Sequence, residues 1–373
     1  MTKLNRRQWL KTAGIAGAAI STTSCKLQAE SKPLSNQTSV STDRIVKLSS
    51  NENRYAPSAK IKEAMIAAME RSYLYPPAHY GPLIDAIAAK EDVSRDHILL
   101  VSGSNEGLKL TGLIYARDGG EIITGTPTYK ALLSYAQEFG GVINAVPLDQ
   151  ELKYDVEEIE KRVSSKTKMV FFCNPNNPTG TLVDPDKARD FCRTVSDKTM
   201  VFSDEAYSDY IEDANYPTMV PLIKEGKNVI VSHTFSKVYG MAGVRVGYLV
   251  ARPEIITMMK PKVMSYVNMM GVEGALAALK DDEFYQFSLH KNREAKEHIY
   301  RVADELGMRY VKSHTNFVFV QTGKDSASLV KEMLTHGVRV GRPFAPLNDW
   351  CRVSTGKPED MDAWEIAMKK VFV

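Results

Sequence analysis

Met169-Val170-Phe171-Phe172-Cys173, followed at once by Asn174-Pro175-Asn176-Asn177-Pro178-Thr179-Gly180, is the stretch on which the fold turns. A strand without a polar residue has no face to give to water. It belongs in a sheet covered on both sides, the setting of parallel strands flanked by helices. The residues after it are turn formers, and a rigid turn alone accounts for several of them. A run this long exceeds what reversing the chain requires, which marks the end of this strand as a place with a second task.

The same alternation of short apolar strands and amphipathic helical stretches extends to both sides. Candidate strands are Ile98–Val101, Glu121–Thr124, Val142–Pro147, Met200–Ser203, Val229–Ser232 and Gly247–Val250, with helical spacing in Asn105–Ala116 and Pro185–Val195. This is the pattern of βαβ units, and it predicts a large α/β domain with a mostly parallel seven-stranded sheet. After Arg252 the spacing changes. A long helical stretch through Leu279 and another over Asp282–Leu306 precede strands near Phe317–Val320 and Arg352–Ser354, a smaller α+β unit. The expected layout places the large domain at 76–260 and builds the small one from 45–75 and 261–373.

Ligands bind outside the carboxyl ends of strands in such sheets. Gly103-Ser104-Asn105-Glu106-Gly107 follows one strand and opens a helix, where free N–H groups attract an anion, although an ordinary helix cap looks similar. Asp204 ends another strand, and a buried carboxylate there calls for a cation, unless it is a simple helix cap. Ser232-His233-Thr234-Phe235-Ser236-Lys237 ends a third. A lysine after a buried strand among hydroxyls invites Schiff-base chemistry with an aldehyde cofactor, and Ser236 with Arg245 could hold that cofactor's phosphate. His233 reads as structural.

In order and wording these segments, with the opening Asn51-Glu52-Asn53-Arg54-Tyr55-Ala56-Pro57-Ser58, resemble the fold-type I pyridoxal-phosphate aminotransferases, and among them the histidinol-phosphate aminotransferase group. The resemblance covers about residues 45 to 356. It implies pyridoxal 5'-phosphate linked to Lys237, which would also move the substrate's proton. Asp204 would face the pyridine nitrogen, Asn177 and Tyr207 the ring oxygen, and Tyr129 would stack on the ring. Ser104, Asn105, Ser236 and Arg245 would bind the phosphate, and Arg352 the substrate's α-carboxylate. Tyr75 would reach the cofactor of a second subunit, making a homodimer with shared sites, and Tyr55 would stand at the substrate entrance. For both tyrosines the plainer alternative is interface packing. Arg342 is shifted by one position from the pattern and would bind a second anionic group. The implied reaction moves an amino group from an L-amino acid or amino-phosphate to a 2-oxo acid such as 2-oxoglutarate. A decarboxylase on the same scaffold and a non-catalytic cofactor-binding module are the rival readings.

At the N-terminus, Asn5-Arg6-Arg7-Gln8-Trp9-Leu10-Lys11 and the weakly apolar run Thr12–Ile20 resemble a twin-arginine signal peptide over residues 1–29. Cys25 after Thr22-Thr23-Ser24 reads as a degraded lipid-attachment box, and Leu27-Gln28-Ala29 as a cleavage site; both stay open. Residues 30–44 read as a linker, and the expected destination is the periplasm or its membrane face. The remaining composition is restrictive mainly by exclusion. The 48 basic and 45 acidic residues are spread along the chain without the basic stripe that nucleic acids need. Four cysteines, at 25, 173, 192 and 351, have neither metal-site spacing nor a disulfide framework.

Overall fold

The computed structural model describes residues 45–373. The twin-arginine segment, Cys25 and the linker lie outside the described residues. Twelve strands are present among the latter: β1 (Val46–Lys47), β2 (Ile98–Val101), β3 (Glu121–Thr126), β4 (Val142–Pro147), β5 (Thr167–Cys173), β6 (Met200–Asp204), β7 (Val229–Thr234), β8 (Gly247–Val250), β9 (Arg309–Tyr310), β10 (Phe317–Gln321), β11 (Val338–Arg339) and β12 (Trp350–Ser354).

Seven of them form one sheet in the order β2-β8-β7-β6-β5-β3-β4. Only β8 runs against its neighbours. The register puts Cys173 opposite Asp204 and Asp204 opposite Ser232, so the carboxyl ends of β5, β6 and β7 finish in one row. That row is why the polar turns after these strands meet. β4 differs from the two-sided burial expected of every strand: Val142 and Ala145 are exposed. As the last strand in the order it lacks a neighbour, and helices do not fully cover it.

The helix Ser104–Ala116 buries Leu108, Leu110 and Thr111 against the sheet. A side chain at Gly107 would run into Leu249 of β8, so glycine lets the start of this helix approach the row of strand ends. The helical stretch expected from Arg252 to Leu279 is interrupted. It is two helices, Pro253–Met259 and Met269–Ala278, parted by a tight turn at Lys260–Lys262. Pro261 in that turn lacks the N–H that would continue the helix. The connecting backbone is instead tied to Glu106, whose carboxylate accepts from Met264 N at 2.9 Å and Ser265 N at 2.8 Å.

Two main apolar cores result. The larger surrounds the seven-stranded sheet. The second gathers Leu48, Ile299, Val318, Val353 and Trp364 around β10 and β12, with β1 paired to β11 beside it. Packing does not follow the boundaries expected at residues 75 and 260. Ile61, Val267, Val272 and Ala275 all enter the larger core, because the helix Ala59–Ala68 lies along Met269–Ala278.

Candidate active site

A cavity of about 370 Å³ opens at the row of strand ends. It brings together Ser104, Asn105, Tyr129, Asn177, Asp204, Tyr207, Ser236, Lys237, Arg245, Arg342 and Arg352, which arrive from segments as much as 248 residues apart (352 − 104). Tyr75 and Tyr55 are not among its walls. Tyr75 is 83% exposed beside Tyr266 in a separate hollow. Tyr55 packs edge-on against Phe287, with ring centroids 5.1 Å apart.

At the floor, Asp204 ends β6 and is 3% exposed. Burial pushes its carboxyl up to about 7, against the pull of the Ala206 N–H and Lys237. A buried carboxyl held in that range is ready to share a proton with a basic nitrogen. Lys237, three residues past β7, donates from Nζ to the Asn51 carbonyl at 3.0 Å and lies 5.2 Å from the centre of the Tyr207 ring. Burial and the nearby Arg352 bring its amine down to about 8, and Asp204 opposes them. An amine in that range is available as a nucleophile and base near neutrality.

One wall is a cup for an anion. Arg245 stands at φ +65°, a conformation that costs a non-glycine residue about 1–3 kcal/mol and persists only where the surroundings impose it. Its guanidinium donates to Ser236 Oγ at 3.4 Å and to the Ala242 carbonyl at 2.7 Å. A side chain at Gly103, φ +77°, would occupy the place of that guanidinium. Glycine there lets a cation sit against the start of the helix Ser104–Ala116, whose free N–H groups favour negative charge.

Two more cations line the same cavity. Arg352 on β12 donates to Asn177 Oδ1 at 2.6 Å and to the Ser49 carbonyl at 2.7 Å, while its Nε is buried without a partner. Arg342 is exposed, and its guanidinium lies 4.5 Å over the Phe344 ring, with that of Arg352 at 4.9 Å from the same ring. The shift of Arg342 along the sequence therefore leaves it on the cavity.

The residues after β5 divide their labour. Asn174 and Asn176 bind other loops: Asn174 Nδ2 donates to Tyr216 Oη at 2.6 Å, and Asn176 to the Pro127 carbonyl at 3.1 Å. Asn177 alone reaches the cavity. Thr128 Oγ1 donates to Asn176 Oδ1 at 2.9 Å and lies 2.7 Å from Tyr154 Oη, which fixes the loop carrying Tyr129. The Tyr129 hydroxyl donates to Asn105 Oδ1 at 3.2 Å, so this ring forms the side of the cup. His233 lies outside the cavity walls, with its Nε2 3.9 Å from Glu91 and 3.7 Å from Glu205.

This arrangement coincides with a match of residues 43–364 to the family model for aminotransferase class I and II. The chain belongs to that family. It is 35% identical over 332 residues to the histidinol-phosphate aminotransferase of Moorella thermoacetica, covering 88% of this chain and 86% of the relative. It is 33% identical over 345 residues to that of Caldicellulosiruptor saccharolyticus, covering 91% and 96%. The solved histidinol-phosphate aminotransferase of Sinorhizobium meliloti, a complex with pyridoxal-5'-phosphate, superposes with a TM-score of 0.82 at 27% identity, covering 88% of this chain and 91% of that one. The protein is thus a pyridoxal-phosphate-dependent transaminase with the fold-type I architecture.

The residues present suit that cofactor. The cup at Gly103 and Arg245 fits a phosphate, and the buried Asp204 fits a protonated ring nitrogen. Lys237 supplies the amine an aldehyde needs. Sequence reasoning passed over Asn51, Glu52, Cys173 and Phe344, which also line the cavity. Asn51 and Glu52 stood in the quoted Asn-Glu-Asn segment without a strand end to single them out. Nothing in the sequence marks Tyr154, because its phenol gains meaning only beside Thr128.

Proposed function

We propose that this aminotransferase takes the amino group of an anionic donor, an L-amino acid or amino-phosphate, and delivers it to a 2-oxo acid such as 2-oxoglutarate. The observation that carries the reading is a single cavity lined by Lys237 and Asp204, by the anion cup of Ser104, Asn105, Ser236 and Arg245, and by two further arginines, Arg342 and Arg352. When bound, pyridoxal phosphate supplies an electron sink for charge developing at the substrate's α-carbon. Asp204 holds the proton on the ring nitrogen. Tyr207 and Asn177 would hydrogen-bond the ring oxygen, and Tyr129 would stack on the ring. Ser104, Asn105, Ser236 and Arg245 anchor the phosphate. Arg352 would grip the α-carboxylate. As a free amine, Lys237 would accept the α-carbon's proton at Nζ and give it up again. Arg342 receives a second anionic group.

Borohydride treatment of the purified protein followed by peptide mapping tests the assignment. Cofactor mass is expected on the peptide carrying Lys237, and label on another lysine refutes it.

The names of the relatives support an amino-phosphate donor, and Arg342 on the cavity is compatible with its phosphate. The chain also acts as a homodimer in this reading, with Tyr75 serving the neighbouring subunit and Tyr55 near the boundary. Exposed Tyr73, Tyr75, Tyr266, Met69 and Met264 on one chain support it, since apolar side chains in such number suit a covered surface. Arg6-Arg7 ahead of a weakly apolar run supports folded export by the twin-arginine route, with Cys25 available as a lipid anchor.

A further inference from the structure

Asn51 is 2% exposed and stands at φ +55°, in the left-handed region that asparagine tolerates better than most residues. Every polar group it owns is engaged. Its N–H donates to Ser354 Oγ at 2.9 Å, and the Ser354 hydroxyl donates back to Asn51 Oδ1 at 2.9 Å. Its Nδ2 donates to the Tyr207 oxygen at 2.9 Å. Its carbonyl accepts from Lys237 Nζ at 3.0 Å and from Asn316 Nδ2 at 2.9 Å.

The left-handed turn lets one residue face three ways: toward β12 two residues beyond Arg352, toward Tyr207, and toward Lys237. An N–H donated into the Tyr207 oxygen leaves that hydroxyl's own proton to point elsewhere, with Asn177 Nδ2 already on the same oxygen at 3.5 Å. A carbonyl facing the ε-amine gives it a fixed station inside the cavity, which matters because a lysine stem otherwise has four rotatable bonds to search.

We infer that Asn51 is a positioning residue for the transamination: its carboxamide sets the direction of the Tyr207 hydroxyl, and its carbonyl holds the Lys237 ε-amine whenever that amine is not joined to cofactor. The inference rests on the assignment of Lys237 and Tyr207 above.

Two measurements on the full chain separate this from a merely structural role. The first is the absorbance titration of the bound cofactor, whose band follows the protonation of its link to Lys237. Asn51→Gly keeps the left-handed backbone and the carbonyl but removes the carboxamide. A weaker Tyr207 hydrogen bond to an anionic ring oxygen should move the midpoint up by about one unit, tenfold in proton affinity. The second is the rate of cofactor uptake by the cofactor-free chain against pH, which follows the neutral fraction of Lys237. A carbonyl favours the ammonium, so Asn51→Ala, which disfavours φ +55° and displaces that carbonyl, should move the midpoint down by about half a unit, threefold. Asn316→Ala, which removes the competing donor and leaves residue 51 intact, should move it up. Asn51→Gly should leave this second midpoint in place.

A lowered melting temperature in Asn51→Gly with both midpoints at their unmutated values would overturn the inference. So would uptake midpoints that move the same way in Asn51→Ala and Asn316→Ala. If the unmutated protein itself shows no lysine-linked absorbance, the assignment of Lys237 fails instead.

Discussion

Replacing Arg352 by methionine should separate substrate binding from stability. Burial draws this guanidinium down from 12.5 to about 10, with Tyr207 opposing and Arg342 reinforcing. At about 1.4 kcal/mol per unit, holding it charged at neutral pH costs the fold about 3 kcal/mol, a penalty relieved only as pH rises through about 10. Against this stand two hydrogen bonds donated by a charged group, to Asn177 and to the Ser49 carbonyl. Each contributes about 1.5 kcal/mol at the lower end of the range for charged donors, suited to acceptors that an open cavity can rehydrate. The opposing contributions nearly cancel, so Arg352→Met should melt within a few degrees of the unmutated protein. Catalysis should respond very differently. Truncating one member of a buried, hydrogen-bonded charge pair costs about 2–5 kcal/mol, or roughly 30- to 5,000-fold in kcat/KM. Arg352→Lys should recover part of that, because it restores charge without the two-pronged geometry. The assay is single-turnover conversion of paired amines with and without an α-carboxylate, alongside thermal melts of each variant. Equal losses on both amines would refute the carboxylate grip. A large fall in melting temperature with activity intact in the folded fraction would show a structural arginine.

Asp204→Asn offers a test of opposite sign in stability and activity. Burial raises the Asp204 carboxyl from 3.8 to about 7, so the cofactor-free chain draws stability from that proton at low pH and loses it as pH rises through about 7. The neutral amide should therefore make the cofactor-free chain more stable at pH 8, by about 4 kcal/mol at most, while turnover of the loaded enzyme falls about 100-fold or more; a cofactor-free variant no more stable at pH 8 contradicts the buried-charge argument. For shared sites, mixing Lys237→Ala with Tyr75→Phe subunits should restore activity above the Tyr75→Phe background once exchange is verified, because one site per heterodimer then carries neither defect. No recovery removes Tyr75 from the partner's site. Changing Arg6 and Arg7 to lysine should retain active, cofactor-bound enzyme in the cytoplasm with unaltered turnover, as read by fractionation with an activity assay; undiminished delivery across the membrane ends the twin-arginine reading.

The strands of the main sheet were legible because burial on both faces imposes a local signature, continuous apolar residues bounded by turn formers. β5 and its turn show it most clearly. The residues that end strands were legible for the same reason. A polar group directly after a buried strand has a fixed address at the sheet's carboxyl edge, so Asn177, Asp204 and Lys237 could be placed before any tertiary contact was known. Pro261 is equally visible in the sequence, yet apolar spacing continues on both sides of it and hides the interruption of the Arg252–Leu279 stretch.

The amino-acid sequence by itself determined the strands of the main sheet and the residues that stand directly after them, Ser104, Asp204 and Lys237 among them, because two-sided burial leaves a periodic signal and a polar residue at its end stands out. Tertiary structure alone decided that Asn51 faces Lys237 and Tyr207 together, that Arg352 reaches the Phe344 ring, and that Ile61 joins the larger core. The same asparagine also bonds Ser354, 303 residues away. A left-handed asparagine in a loop carries no periodic signal. Its role comes from which chain segments surround it, and that is fixed only when the two cores pack.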